Sequence, residues 1–351
     1  MDLTQLKTES PLVFGFAESR IGGRAENQDS FAWADTPIGF LITVCDGMGG
    51  GPGGKTASFI AVNEIIAGVM EADQQEETAN ILIKAIRRAN MAIITRGNEQ
   101  PELKGMGSTC TVVLINSKFA TIAHVGDSRV YQFRGRTKIF RTFDHSMVFD
   151  LVKQKVITEE QARLSAQSNV ITRALGIKPD LEVEILERPF EAGDRFLLCT
   201  DGIHGSIEEK RLIKQVTNRK IALGPVVDGI ATEIDNIGRI SGGGHDNLTL
   251  AIIETKLNSI KKDSMSKKIK QILLAIGAVC IISIAVNIFL TITTIGQSNT
   301  LKDLGDQEIL MHTNDSLIGE IKKTELKRTE DSAKIEAIIQ ELEKDPKFKD
   351  S

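Results

Sequence analysis

A mixed α+β fold built in layers, followed by one membrane-spanning helix and a short helical tail, is what this sequence predicts. Three observations carry that reading. Short apolar runs of strand length follow one another, with helical periods between the blocks. The runs end repeatedly in Asp-Gly or Gly-Asp pairs. One stretch near the C-terminus, residues 272–296, holds 25 residues with no charge and a single amide, Asn287. The composition suits a folded chain: 351 residues, 41% hydrophobic and 26% charged, with net charge −4 from 43 basic and 47 acidic side chains. Low hydrophobicity combined with high net charge, the mark of disorder, is absent. The mild acidity gives no overall counterion-release drive, so nucleic acid is not an expected partner.

Taken in order, strands are expected at residues 12–17, 38–45, 108–115, 119–125, 130–134, 181–186, 195–199 and 247–253. Helical periods fall at 54–70, 77–96, 147–152, 208–217 and 225–237, and the polar stretch 74–77 reads as a loop. Residues 1–255 therefore form the globular part. The start, MDLTQLKTES, has charges and no apolar core, so no signal peptide is expected. Four cysteines (Cys45, Cys110, Cys199, Cys280) lie far apart, with no zinc-pair or disulfide spacing; they read as reduced thiols, three of them in apolar runs.

Residues 256–271 form a basic linker to the span at 272–296, which exceeds the ~20 helical residues that cross a bilayer core. From Lys256 to Lys270 there are six lysines and one acid, whereas beyond the span Lys302 is the sole base before Lys322. The flanking charge predicts a single-pass protein of the cell membrane, with its N-terminal domain in the cytoplasm and residues 297–351 outside it. The lysines also suit anionic headgroups. The tail holds 9 basic and 13 acidic residues and reads as helical over 316–344. Its stripe of Ile335, Ile338, Ile339 and Leu342 is too brief for a coiled coil.

Acids terminate the apolar runs. The run at 40–45 ends in Asp46-Gly47, that at 195–200 in Asp201-Gly202, and that at 120–125 in Gly126-Asp127. Asp246-Asn247 opens the run 248–253, and Asp29 precedes Ser30-Phe31-Ala32-Trp33. One Asp-Gly after a strand is a common turn. Five acids at strand ends share one rim if the strands lie side by side, and their mutual repulsion is relieved by a cation. Oxygen ligands select hard ions, Mg²⁺ or Mn²⁺, over zinc. Two such ions activate water and clamp a phosphoryl oxygen, which points to a phosphoryl-transfer hydrolase without naming its substrate.

The ordered motifs resemble the metal-dependent serine/threonine protein phosphatases of type 2C, the PPM family. The matching stretches are Arg24-Ala-Glu-Asn-Gln-Asp29, Cys45-Asp-Gly-Met-Gly-Gly50, Gly107-Ser-Thr109, His124-Val-Gly-Asp-Ser-Arg129, Asp144-His-Ser146, Asn169-Val-Ile-Thr-Arg-Ala-Leu-Gly176, Cys199-Thr-Asp-Gly202 and Gly244-His-Asp-Asn-Leu-Thr249. The resemblance implies a four-layer α-β-β-α sandwich, two packed antiparallel sheets flanked by helices, with a binuclear Mn²⁺/Mg²⁺ centre at one end. It implies that Asp46 bridges both ions, that the Gly47 carbonyl helps hold the second, and that Asp201 and Asp246 hold the first. Asp127 matches the acid that binds a third ion in bacterial members. Asp29 and Asn247 would stand behind the ligands, Asp29 ordering water. Arg24 matches the arginine that grips substrate phosphate, its planar fork suiting a dianion. A metal-bridging hydroxide would attack phosphorus in line. The implied substrates are phosphoserine and phosphothreonine proteins, and the implied partners are serine/threonine kinases. Residues 144–176 match the flap that borders the cleft.

Some positions depart from the pattern. Gln28 and Met48 stand where animal members have a metal-linked glutamate and a histidine proposed as general acid; bacterial members share the Gln and Met forms. His145 and His245 are nearby candidates for that acid. Ser168 stands where the family often has a basic residue. A rival reading also exists: Gly49-Gly-Gly-Pro-Gly-Gly-Lys55-Thr56 fits the phosphate-cradling pattern GxxxxGKT of nucleotide hydrolases. Against it, Asp46-Gly47-Met48 lengthen the loop and Pro52 lacks an amide donor. A non-catalytic phosphoprotein-binding module would lack ligands, and Asp46, Asp201 and Asp246 are all present.

Overall fold

The structure, a computed structural model, describes residues 4–49, 52–163, 165, 167, 170–257, 283–284, 286–291, 293 and 307–342. The chain divides into two units, Met1–Lys261 and Lys262–Ser351.

The first unit is built on two antiparallel sheets. One sheet contains β1 (Thr4–Glu9), β2 (Val13–Arg20), β12 (Leu248–Thr255), β11 (Arg195–Cys199), β8 (Arg129–Arg134) and β9 (Thr137–Arg141), in that spatial order. The other runs β10 (Glu184–Arg188), β7 (Ala120–Val125), β6 (Cys110–Ile115), β4 (Gly39–Met48) and β3 (Asp29–Thr36), with the two-residue β5 (Gly107–Ser108) paired to the end of β4. Phe40, Ile42, Val44, Val113, Ile122, Phe196, Leu198 and Ile253 share the buried apolar layer that both sheets feed. On the outer face of the second sheet lie α1 (Pro52–Met70) and α2 (Thr78–Glu99), sharing a core with Leu41, Val112 and Ala123. On the outer face of the first lie α5 (Asp201–His204), α6 (Glu209–Val216) and α7 (Leu223–Ile240), packed on Tyr131, Leu197 and Leu250. The α-β-β-α layering follows from this: each sheet buries both faces, one on its partner sheet and one on helices.

That double burial decides which strands stand out as apolar runs. All six residues of β6 and of β7 are buried, so both read as apolar runs interrupted only by Thr111, Thr121 and His124. The edges are different. β1, β3 and β9 carry few large apolar side chains and were not expected as strands, and the edge strand β10 starts at Glu184 where a run from residue 181 was expected. The expected strand 108–115 is two strands, because Ser108 pairs with Gly47 while residues from Cys110 onward pair with β7. Cys45, Cys110 and Cys199 are buried and free; Cys280 lies outside the described residues.

Direction along the strands separates two ends. Short turns (residues 10–12, 37–38, 116–119 and 135–136) close hairpins at one end. The connection 21–28, the turn 126–128, the segment after β9 and the starts of α1 and α5 all lie at the other, and every acid singled out above falls there. From the segment after β9 come α3 (Met147–Lys153) and α4 (Glu159–Arg163). Ser168 and Asn169 lie outside the described residues.

Among the described residues no helix is long and apolar enough to cross a membrane. The expected span 272–296 lies largely outside them; residues 283–284, 286–291 and 293 are described, helical and exposed. The tail forms α8 (Gln307–Leu342), which starts earlier than the expected 316; the side chains of Ile335, Ile338, Ile339 and Leu342 lie outside the described ones.

Phe196 is fully buried between the sheets. Phe196→Ala is expected to cost about 3–5 kcal/mol, measured as a lowered urea midpoint with little change in slope.

Candidate metal centre

Asp46 stands near the end of β4, directly opposite Asp29 on β3 in the ladder register. Its backbone is clamped by the segment that opens β6. The Asp46 N–H donates to Thr109 Oγ1 (2.9 Å), and its carbonyl accepts from the Thr109 N–H (2.8 Å) and the Ser108 hydroxyl (3.0 Å). Thr109 Oγ1 also shares a hydrogen bond with Ser128 Oγ at 2.7 Å, one residue past Asp127. The Gly47 N–H donates to the Gln28 carbonyl (3.1 Å). A Cβ on Gly47 would lie 2.0 Å from the Gly54 carbonyl oxygen, so the first turn of α1 passes against this loop and admits no side chain.

Asp201 opens α5 directly after β11. A Cβ on Gly202 would lie 2.0 Å from the Asn247 carbonyl oxygen, which shows how tightly this turn meets the start of β12. Asp246 Oδ1 accepts the Asn247 N–H (2.9 Å), and its Oδ2 accepts Arg24 Nη2 (2.9 Å). Asn247 uses its whole amide to tie down the loop 21–28. Its Oδ1 accepts the Gln28 N–H (2.9 Å), while Nδ2 donates to the carbonyls of Ile21 (2.8 Å) and Glu26 (3.0 Å). That loop carries Arg24 and leads into Asp29. The Asp29 carboxylate accepts the Thr200 hydroxyl at 2.9 Å and is only 8% exposed. Thr200 was not singled out as a site residue; a hydroxyl directly before Asp201 was the available signal.

Five carboxylates therefore converge from β3, β4, the β7–β8 turn, α5 and the start of β12, and each feels others. Burial first, then the charges of Asp29, Asp201, Asp127 and Asp246, hold the Asp46 carboxyl well above the usual carboxylate range. Burial, aided by Asp201 and Asp246 and opposed by hydroxyls of Thr249 and Thr200, pushes Asp29 to about 7. Burial and the charges of Asp201 and Asp144 push Asp127 to about 8. Asp201 is raised by burial and by Asp246, with a hydrogen bond to Asp46 pulling the other way. Asp201 Oδ1 is buried without a hydrogen-bond partner among the described residues. An orphaned buried carboxylate oxygen beside crowded acids is the environment a hard divalent cation relieves. Asp46, the Gly47 carbonyl, Asp127, Asp201 and Asp246 are the oxygens that could hold such a cation, and Arg24, half exposed, pairs with Asp246 beside them.

The two histidines weighed as acids are engaged elsewhere. His145 is buried with Nε2 on Glu184 (3.0 Å), and His245 Nε2 meets Asp235 on α7 (2.8 Å). Lys55 of the GxxxxGKT pattern is exposed, with its ammonium 3.5 Å from Glu26.

The raised carboxyls fix a pH dependence. In the folded, ion-free chain they bind protons that the unfolded chain, with carboxyls near 3.8, releases; stability therefore falls as pH rises from about 4 to about 8. In chelator the melting temperature is expected to rise when pH is lowered from 8.5 to 6, and saturating Mn²⁺ should remove most of that slope; scanning fluorimetry with and without Mn²⁺ checks both.

Residues 18–225 match the family model described as protein phosphatase 2C. The serine/threonine phosphatase stp of Listeria welshimeri is 32% identical over 246 residues, 69% of this chain and 92% of that protein. The crystal structure of the Mycobacterium tuberculosis serine/threonine phosphatase PstP/Ppp superposes with a TM-score of 0.58 at 30% identity, covering 70% of this chain and 99% of that one. Stp1 of Staphylococcus aureus gives a TM-score of 0.63 at 26% identity, covering 72% and 97%. A catalytic-domain structure of PstP, 29% identical with a TM-score of 0.57 over 70% of this chain and 99% of that one, is described as a complex with two manganese ions. With its acids gathered at one end of a two-sheet sandwich, the chain belongs to the protein phosphatase 2C family of metal-dependent serine/threonine phosphatases.

Proposed function

We propose that this chain hydrolyses phosphoserine and phosphothreonine in proteins with two or three Mn²⁺ or Mg²⁺ ions held by Asp46, the Gly47 carbonyl, Asp127, Asp201 and Asp246. The observation that carries this reading is the convergence of five carboxylates around the orphaned Asp201 Oδ1. The ions supply positive charge to the phosphoryl group and lower the pKa of bound water. The chain's own residues do the rest. Arg24 turns its guanidinium from Asp246 to two phosphate oxygens, fixing the dianion for in-line attack. Asp29, fixed by Thr200 and ionised once cations balance its neighbours, accepts a hydrogen bond from water next to the phosphorus. Asn247 holds the loop that carries both groups, so their spacing survives ligand exchange.

The span at 272–296 anchors the chain in the cell membrane, with residues 1–255 in the cytoplasm and 297–351 outside. In support, Ile284, Val286, Ile288, Phe289 and Leu290 are exposed on helical backbone. The hydroxyls of Thr291 and Thr293 fold back onto the carbonyls of Asn287 (2.7 Å) and Phe289 (3.0 Å), which satisfies them without water. Tethering raises the local concentration near membrane-bound serine/threonine kinases, whose products are the natural substrates.

The full chain is expected to release phosphate from a phosphothreonine peptide only with Mn²⁺ or Mg²⁺. Asp201→Asn should lower kcat by at least about a hundredfold, since a lost cation forfeits several kcal/mol of transition-state charge stabilisation. Lys55→Ala should retain activity, because its partner is a carboxylate and not a phosphate; loss of ATP binding in that variant would favour the nucleotide-hydrolase reading instead. Fractionation should place the chain in membranes, and protease added to the outer face should remove only residues C-terminal to the span. Recovery of the full chain in the soluble fraction would refute the anchor.

A further inference from the structure

Behind Asp127 lies a chain of hydrogen bonds that the reaction does not use. His145 grips Gly126 from both sides: its own N–H donates to the Gly126 carbonyl (2.8 Å), and its Nδ1 accepts the Gly126 N–H (3.2 Å). Because a backbone N–H can only donate, Nδ1 carries a lone pair and the proton of the neutral ring sits on Nε2. That proton is donated to Glu184 Oε2 at 3.0 Å on the edge strand β10, and this bond is the main cause of the Glu184 carboxyl being held below its usual range. From the other side, the His145 carbonyl accepts the Thr172 N–H (2.7 Å), tying the far end of the flap to the same residue. Thr109 packs against the opposite side of the turn, where a Cβ on Gly126 would lie 2.8 Å from its side chain. The Gly126–Asp127 turn is thus wedged between the residue that clamps Asp46 and a histidine braced on a carboxylate.

His124 lies beside this pair, fully buried, with its ring centroid 4.3 Å from that of His145 and both nitrogens unpartnered among the described residues. The donor atoms of His124, His145 and Glu184 lie within 4.8 Å of one another, close enough to share an ion. The tautomer argues against that use. An ion on Nε2 of His145 would drive the ring proton to Nδ1, where it would face the Gly126 N–H.

We propose that Glu184 and His145 are positioning residues, which hold the Gly126–Asp127 turn in the geometry where Asp127 serves a divalent cation. The inference rests on Asp127 being a cation ligand. Outer hydrogen-bond partners of this kind change metal affinity by about 10–100-fold when removed. The test is Mn²⁺ binding to the full chain, followed by the electron paramagnetic resonance signal of free Mn²⁺, beside a peptide assay at varied Mn²⁺. Glu184→Ala and His145→Ala are expected to weaken one ion by at least tenfold and to leave the tighter ions in place. The Mn²⁺ concentration for half-maximal rate should rise accordingly, with KM for the peptide unchanged. Glu184→Gln should restore most of the affinity, because its amide oxygen still accepts from Nε2. Asp127→Asn should lose the same ion outright. If Asp127→Asn loses an ion while both alanine variants bind Mn²⁺ like the parent, the positioning role is overturned and the Asp127 assignment stands. If Asp127→Asn binds every ion, the assignment and the positioning role fall together. Wild-type binding of Zn²⁺ that disappears in His124→Ala would also overturn it, since the three groups would then form an ion site. Equal weakening of all ions in Glu184→Ala would do so too, marking a general loosening.

Discussion

Mutual repulsion among five crowded carboxylates is the constraint on which this molecule depends. Asp29, Asp46, Asp127, Asp201 and Asp246 are brought together by strands that pair over most of the first unit, so folding itself assembles the repulsive cluster. Its cost is met in two ways: by protonation when no cation is present, and by cation binding when one is. Metal affinity, proton uptake and fold stability are therefore three views of one equilibrium.

The sandwich tolerates this because its ends are specialised. Most short connections turn at one end, which leaves the connections that carry chemistry at the other. There the backbone is held by side chains in place of a ladder: Thr109 on Asp46, Asn247 on the loop from Ile21 to Gln28, His145 on Gly126. Each tie spans a large sequence separation and has its donors and acceptors satisfied. The carboxylates are thus fixed by neutral hydrogen bonds that persist whether or not the acids are ionised.

Much of this was legible in the sequence, for a physical reason. Strands covered on both faces are mostly apolar, so β6, β7 and β11 announce themselves, and acids at their ends stand out against that background. The edge strands β3 and β9 are half solvated and carry no such signal, and β1 holds a single large apolar residue, Leu6. The five acids were all visible as residue types at run ends. What was not visible were the supports: Thr200 on Asp29, Ser128 on Thr109 and Glu184 on His145 join residues 19 to 171 positions apart, and nothing local in the chain marks them. His145 was visible as a residue near the acids, but its bonds to Gly126 and Glu184 were not.

Proton release on cation binding tests the convergence of the acids most directly. Mn²⁺ is titrated calorimetrically into ion-free protein near pH 7, in buffers of different ionisation enthalpy. Carboxyls held at about 7 and about 8 by burial and by one another predict that Mn²⁺ displaces protons, that the observed heat varies with the buffer, and that Asp46→Asn releases fewer. Heats that are the same in every buffer, with Mn²⁺ affinity unchanged in Asp46→Asn, would contradict a shared carboxylate site.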